Sequence, residues 1–203
     1  MFSNLHFLAY FIMELLRQVF QHQAPISTQD WASLRQHWTH EKTLQRKEYL
    51  SDIGSIGKHL YWVLEGTLKI CALNQGEETC VGFAYPNTVA CAYPSFISNQ
   101  PTDYYIQAIT PCRLVGISRD DFYRTIEQSI QLERAWRKLT EQALLGRMSR
   151  EIYLSNPNPQ ERFLGLWERS PHLFQLFPQR YIASYLQMSA ETFSRIKSKV
   201  WKR

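Results

Sequence analysis

The chain has 203 residues, 44% of them hydrophobic, and a formal net charge of +5. That apolar content builds real cores in one large domain or two small ones and excludes a disordered chain. So small a net charge permits a nucleic-acid partner without arguing for one, and its distribution along the chain decides.

The four cysteines, Cys71, Cys80, Cys91 and Cys112, form no CxxC pair and have no histidine at zinc-site spacing. They read as reduced core residues of a cytosolic protein. The apolar stretch from Leu5 to Leu16 contains His6 and Glu14. It is too short to span a bilayer and lacks the cationic start and cleavage site of a signal peptide, so no membrane partner is expected. MELLRQVF opens an amphipathic helix at Met13, which leaves Met1 and Met13 both open as the start of translation.

Up to about Trp38 the pattern is helical, with Leu15, Leu16, Val19 and Phe20 at helix spacing and Ser27 as an N-cap ahead of Trp31 and Leu34. From Tyr49 the texture changes to short β-branched and aromatic runs: YWVLEG, TLKICAL, TCVGFAY, YYIQAI and RLVGIS. The turn signals NQGEE, YPN, SNQPTD and TPC separate them, which predicts an antiparallel sandwich or barrel. Helix returns at Arg119 and Asp120 and is expected to run to about Leu154, with Gly146 as its weak point.

Within that helix Leu132, Trp136, Leu139 and Ala143 follow a four-three-four spacing, the seam of a coiled coil, and are the expected dimerisation face. Leu144, Met148 and Ile152 form a second stripe on another face, which suits a helix touching both a partner and its own domain. Asn156-Pro157-Asn158-Pro159 then breaks the chain. The expected division is a β-barrel with N-terminal helices over 1–118, a dimerisation helix over 119–155 and a helical C-terminal domain over 156–203. The last segment reads as a helix from Pro159 to Glu168, a broken stretch from Pro171 to Phe177, and two helices on either side of Met188.

Those two helices meet the requirements of a helix-turn-helix. Ile182 and Leu186 share one face of the first and Ala183 supplies a small contact residue, while Met188, Phe193, Ile196 and Val200 give the matching stripe. Ser189 can cap the second helix, and Glu191 sits in its first turn. Gln187 occupies the turn where glycine is usual, because the turn often needs positive φ, at a cost of about 1 kcal/mol. With the stripe buried, Ala190, Glu191, Ser194, Arg195 and Ser198 face outward. Arg195 can donate twice to guanine and Glu191 can accept from cytosine. Thr192 and the lysines, Lys199 and Lys202 among them, can hold phosphates, and Arg180 joins the same DNA-facing set with Ser189.

The order of barrel, long helix and helix-turn-helix resembles the cyclic-AMP receptor and fumarate–nitrate regulator family of bacterial transcription factors. Its most specific part is PQRYIASYLQMSAETFSRIKSKV, with Ser189, Glu191, Thr192 and Arg195 in an S-x-E-T-x-x-R pattern. The resemblance implies an α+β fold: a jelly-roll barrel of the cyclic-nucleotide-binding type, a dimerisation helix and a C-terminal winged helix-turn-helix. It implies double-stranded DNA, a second copy of the chain and RNA polymerase as partners, and no enzymatic activity. Ala190 departs from members that carry arginine before the glutamate, which implies a shifted sequence preference. Where cyclic-nucleotide-binding members place arginine and serine, this chain has Thr102 and Asp103, and their glycine-glutamate-leucine segment reads Val89-Ala90-Cys91-Ala92. The charge partner of the cyclic phosphate is missing, so cyclic nucleotide is not the expected effector; the sequence names no other.

No cofactor is expected. No cysteine precedes Cys71, against an iron–sulfur cluster near the N-terminus, and His6, His22, His37, His40 and His59 read as surface or satisfied residues rather than haem ligands. A metal-dependent cupin-type enzyme would need several histidines and carboxylates inside the barrel, and between Tyr49 and Ser118 there is one histidine, His59. A ligand-binding or protein-interaction module without DNA readout is the other alternative. Trp62, Tyr85, Tyr93, Phe96, Tyr104 and Tyr105 either line a pocket or fill the barrel.

Overall fold

The computed structural model describes residues 3–74 and 76–201. Helix α1 (Ser3–Gln23) is followed by α2 (Thr28–Arg35). Ser27 caps α2 as expected, its hydroxyl accepting from the Asp30 N–H at 3.0 Å while the Asp30 carboxylate reaches back.

Among the described residues eight strands come next: β1 (His40–Leu44), β2 (Tyr49–Ser51), β3 (His59–Glu65), β4 (Leu68–Asn74), β5 (Glu77–Ala84), β6 (Val89–Ala90), β7 (Tyr104–Ala108) and β8 (Cys112–Ser118). A short helix, α3 (Tyr93–Ser98), lies between β6 and β7. The strands make two antiparallel four-stranded sheets, ordered β1-β8-β3-β6 and β2-β7-β4-β5. Alternation sends Leu44, Val63, Leu68, Ile106 and Leu114 into the space between the sheets, where they are buried. At one crossing Gly116 is required, because a Cβ there would lie 2.7 Å from the Tyr61 ring.

Beyond the barrel the expected single helix is two. Helix α4 (Arg119–Glu127) ends at Gln128, and α5 (Ile130–Leu154) starts afresh. Ser129 stands between them in extended conformation and caps α5 by accepting the Leu132 N–H at 3.3 Å, so a serine competing with the helix makes the break. Gly146 interrupts nothing and lies inside α5.

Part of the expected dimerisation face is packed within the protomer. Leu132 and Ala135 are fully buried with Met13, Leu16, Phe20, Leu60, Trp62 and Phe122, and Trp136 and Leu139 pack against the same cluster. The apolar face of α1 needs cover and takes it from this side of α5. The Trp136 ring meets Phe122 edge-on at 4.7 Å. The fourth residue of that spacing, Ala143, is exposed. The large apolar side chains that α5 leaves in solvent include Leu144, Leu145, Met148 and Ile152, at 51–72% exposure.

The C-terminal unit comprises α6 (Pro159–Arg169), α7 (Leu173–Leu176), α8 (Gln179–Tyr185) and α9 (Ala190–Trp201) around Phe163, Leu166, Phe177, Ile182, Leu186, Phe193 and Ile196. Among the described residues no strand follows β8; α9 continues to Trp201, whose ring packs 5.2 Å from that of Trp167. The unit rests on the barrel. The Cys80 N–H donates to Ser184 Oγ at 2.9 Å and Phe83 packs on Phe177 at 4.2 Å, while Arg147 of α5 donates to the Val81 carbonyl at 3.0 Å. No helix among the described residues is long and apolar enough to cross a membrane.

Candidate nucleic-acid interface

The turn between α8 and α9 is fixed by its backbone. Gln187 adopts φ of 53°, the left-handed conformation that glycine usually supplies there. The Met188 N–H returns to the Ala183 carbonyl at 3.0 Å and closes the turn. Ser189 then caps α9, its Oγ accepting the Thr192 N–H at 3.1 Å and donating to Thr192 Oγ1 at 3.0 Å.

Phe193 and Ile196 are buried on the inner side of α9, with Val200 and Met188 packed beside them. The same geometry leaves Ser189, Ala190, Glu191, Ser194, Arg195, Ser198 and Lys199 exposed on the outer side. Thr192 is half-buried, and Ser189 engages its hydroxyl. Lys199 Nζ donates to Gln160 Oε1 at 3.3 Å. Arg180 is exposed on the first turn of α8, where its guanidinium covers the Tyr181 ring at 4.7 Å and donates to its hydroxyl at 2.8 Å. Lys202 lies outside the described residues, as does the side chain of His6.

Sequence reasoning missed two arginines that hold this head together. Arg162 of α6 donates to the carbonyls of Leu186 at 3.0 Å, Gln187 at 3.1 Å and Asn156 at 2.8 Å. Arg150 of α5 donates to the Tyr185 carbonyl at 3.1 Å and covers the Tyr185 ring at 4.3 Å. Nothing in their spacing marks them, because their partners are backbone carbonyls exposed by a turn.

At the barrel, Thr102 is buried and tied into the loop between β2 and β3: its N–H donates to the Ser55 carbonyl at 2.9 Å, and its own carbonyl accepts the Gly54 N–H at 2.8 Å. Asp103 is exposed beside it. A cavity of about 340 Å³ opens at the barrel mouth, lined by Ser51, Asp52, Lys58, His59, Tyr61 and Cys91 among others. Among the described residues no group of three or more His, Cys, Asp or Glu gathers as a metal site would require.

A jelly-roll barrel carrying a helix-turn-helix behind a long helix defines the class. Residues 41–129 match the family model of the cyclic nucleotide-binding domain. The fold is similar to that of FixK2 from Bradyrhizobium japonicum, with a TM-score of 0.67 and 19% identity over 80% of this chain and 84% of that one. It is similar to the c-di-GMP responsive global regulator CLP of Xanthomonas campestris, with a TM-score of 0.62 and 17% identity over 87% and 92%. A CooA mutant from Carboxydothermus hydrogenoformans gives a TM-score of 0.67 and 12% identity over 84% and 79%. No curated protein matches the sequence. The fold expected from the resemblance to the cyclic-AMP receptor and fumarate–nitrate regulators is therefore the fold found.

Proposed function

We propose that the chain is a homodimeric, sequence-specific DNA-binding transcription regulator of the cytoplasm that reads the major groove with α9 and does not respond to cyclic nucleotide. The observation that carries this reading is the division of α9 into a buried stripe and an outer face of Glu191, Ser194, Arg195, Ser198 and Lys199. An ordinary helical hairpin needs neither a capped, positive-φ turn nor an acid and an arginine presented together on the far side. Arg195 and Glu191 suit guanine and cytosine edges, and Lys199, Arg180 and Thr192 suit phosphates.

The second copy is assigned to the exposed stripe of Leu144, Leu145, Met148 and Ile152, since so much apolar surface on one helix is poorly placed in water. Two-fold symmetry then presents two reading helices to half-sites about 34 Å apart. RNA polymerase is the further partner such a regulator engages, and the work described requires no catalysis. Selection of bound sequences from random DNA tests the proposal. A two-fold related motif, bound with an affinity that falls steeply with salt, supports it. Retention of no sequence above background, with the protein folded, overturns it in favour of a protein-interaction module.

A further inference from the structure

The outer face of the second sheet, beneath α8, carries a polar cluster that DNA reading does not use. Register sets Cys71 of β4 opposite Cys80 of β5 on one side and Tyr105 of β7 on the other. Both cysteines are free and fully buried, packed with Tyr105 against Tyr181 and Tyr185 of α8. Directly opposed residues share a sheet face with Cβ atoms about 4.5–5.5 Å apart, little more than the roughly 3.5–4.5 Å of a disulfide. The register shift between Ile70 and Cys71 interrupts the ladder at this point, where a bulged strand has freedom to adjust.

Beside the thiols stands a buried cation. Lys69, 4% exposed, places Nζ 2.6 Å from Glu78 Oε2 and 3.2 Å from Tyr105 Oη, and it faces the Tyr181 ring at 4.8 Å. Tyr105 also donates to Glu78. A structural pair of thiols in a core needs no ion pair beside it, and burying one is costly. The two thiols are also unequal. A hydrogen bond with Cys80 holds Cys71 below the ordinary thiol range, with Lys69 adding to the effect against burial and Glu78. The same bond, together with burial, pushes Cys80 up.

We propose that Cys71 and Cys80 are a peroxide-modifiable dithiol that closes to a disulfide when α8 leaves the sheet. The Cys71 thiolate attacks one oxygen of hydrogen peroxide, the O–O bond breaks, and the departing hydroxide takes a proton to become water. Cys80 Sγ then attacks the Cys71 sulfenic acid, losing its proton as the S–O bond breaks and a second water leaves. The two thiols lose two electrons in all, and the peroxide is reduced to two waters. Because Tyr181, Ser184 and Tyr185 cover the pair, oxidation proceeds from the undocked state.

The test treats the full-length protein with hydrogen peroxide, blocks remaining thiols and maps peptides without reduction. Cleavage after Glu77 or Glu78 separates Cys71 from Cys80, and chymotryptic cleavage after Phe83 separates Cys80 from Cys91 and Cys112. A Cys71–Cys80 linkage reversed by dithiothreitol, absent in C71S and C80S and retained in C91S, is expected. Ser184→Ala, which removes one hydrogen bond from the docking contact, should speed its formation about fivefold. Linkage through Cys91 or Cys112, or Cys71 and Cys80 unchanged while Cys91 oxidises, overturns the site. An unaltered rate in both Ser184→Ala and Tyr185→Ala overturns the gate. None of these outcomes depends on DNA binding.

Discussion

Arg162 donates from Nη2 to the carbonyl of Gln187, the residue whose positive φ turns the chain from α8 into α9. A left-handed glutamine costs about 1 kcal/mol, and the three carbonyls held by one guanidinium offset it. Arg162→Ala should lower unfolding free energy by about 2–4 kcal/mol, read by urea denaturation. Arg162→Lys should recover little, since an ammonium cannot fork to three acceptors. Gln187→Gly should stabilise by about 0.5–1 kcal/mol; loss of stability on that change would mean that the turn is unstrained.

Base reading and phosphate holding separate by mutation. Arg195→Ala should cost about 1–3 kcal/mol on the selected site and relax preference at one position. Lys199→Ala should weaken selected and random DNA alike and lower the salt slope by about 1. Competition binding at two salt concentrations distinguishes them, and an equal loss on both DNAs for Arg195→Ala removes that residue from base reading.

The two faces of α5 make opposite predictions. Leu132→Ala should destabilise each protomer by about 2–5 kcal/mol, as buried truncations do, and Trp136→Glu should lower the melting temperature steeply by placing a charge against Phe122. The double change Leu144→Glu with Ile152→Glu should leave the melting temperature of the protomer nearly unchanged and give monomers by sedimentation. A dimer that survives the double change with undiminished affinity places the partner elsewhere.

Cyclic AMP and cyclic GMP should give no heat on titration and no change in DNA affinity. The position that would hold an arginine has a threonine whose backbone is bonded into the loop after β2, and its neighbour Asp103 repels phosphate. Micromolar binding lost on altering Asp103 would contradict this.

A pH dependence follows from the stacked rings of His40 and His59, 4.2 Å apart at the barrel mouth. Burial, then His40 and Lys58, hold His59 below the ordinary histidine value. Between its folded value and about 6.5 the unfolded chain therefore binds the extra proton. The contribution to stability is complete above about pH 6.5 and is lost as pH falls through the folded value. Denaturation midpoints should fall over that window, and His59→Gln should flatten the slope.

What was legible in the sequence is what repeats with a period. The β-branched and aromatic runs form β3, β4, β5, β7 and β8, of which β8 alternates in burial from Cys112 to Gly116, and the buried stripe of α9 stands where its spacing put it. Strand β1, reading HEKTL, has four exposed residues and shows no apolar alternation; β2 and β6, three and two residues long, are too short to carry a pattern. Trp136 and Leu139 were legible as a seam but not as to whose seam, because α1 and a second protomer present the same kind of surface. Arg162 was illegible, its role being set by carbonyls rather than side chains.

The rear of the reading head is written for this particular barrel. Phe177, Tyr181, Ser184 and Tyr185 match Phe83, Cys80 and the face around Lys69, so residues 159–201 are not a portable module. Grafted behind another sensor, they would carry an aromatic surface into water and a serine cut to fit a missing strand. Exchange of specificity between such regulators is therefore better sought by rewriting the outer positions of α9 than by swapping whole C-terminal segments.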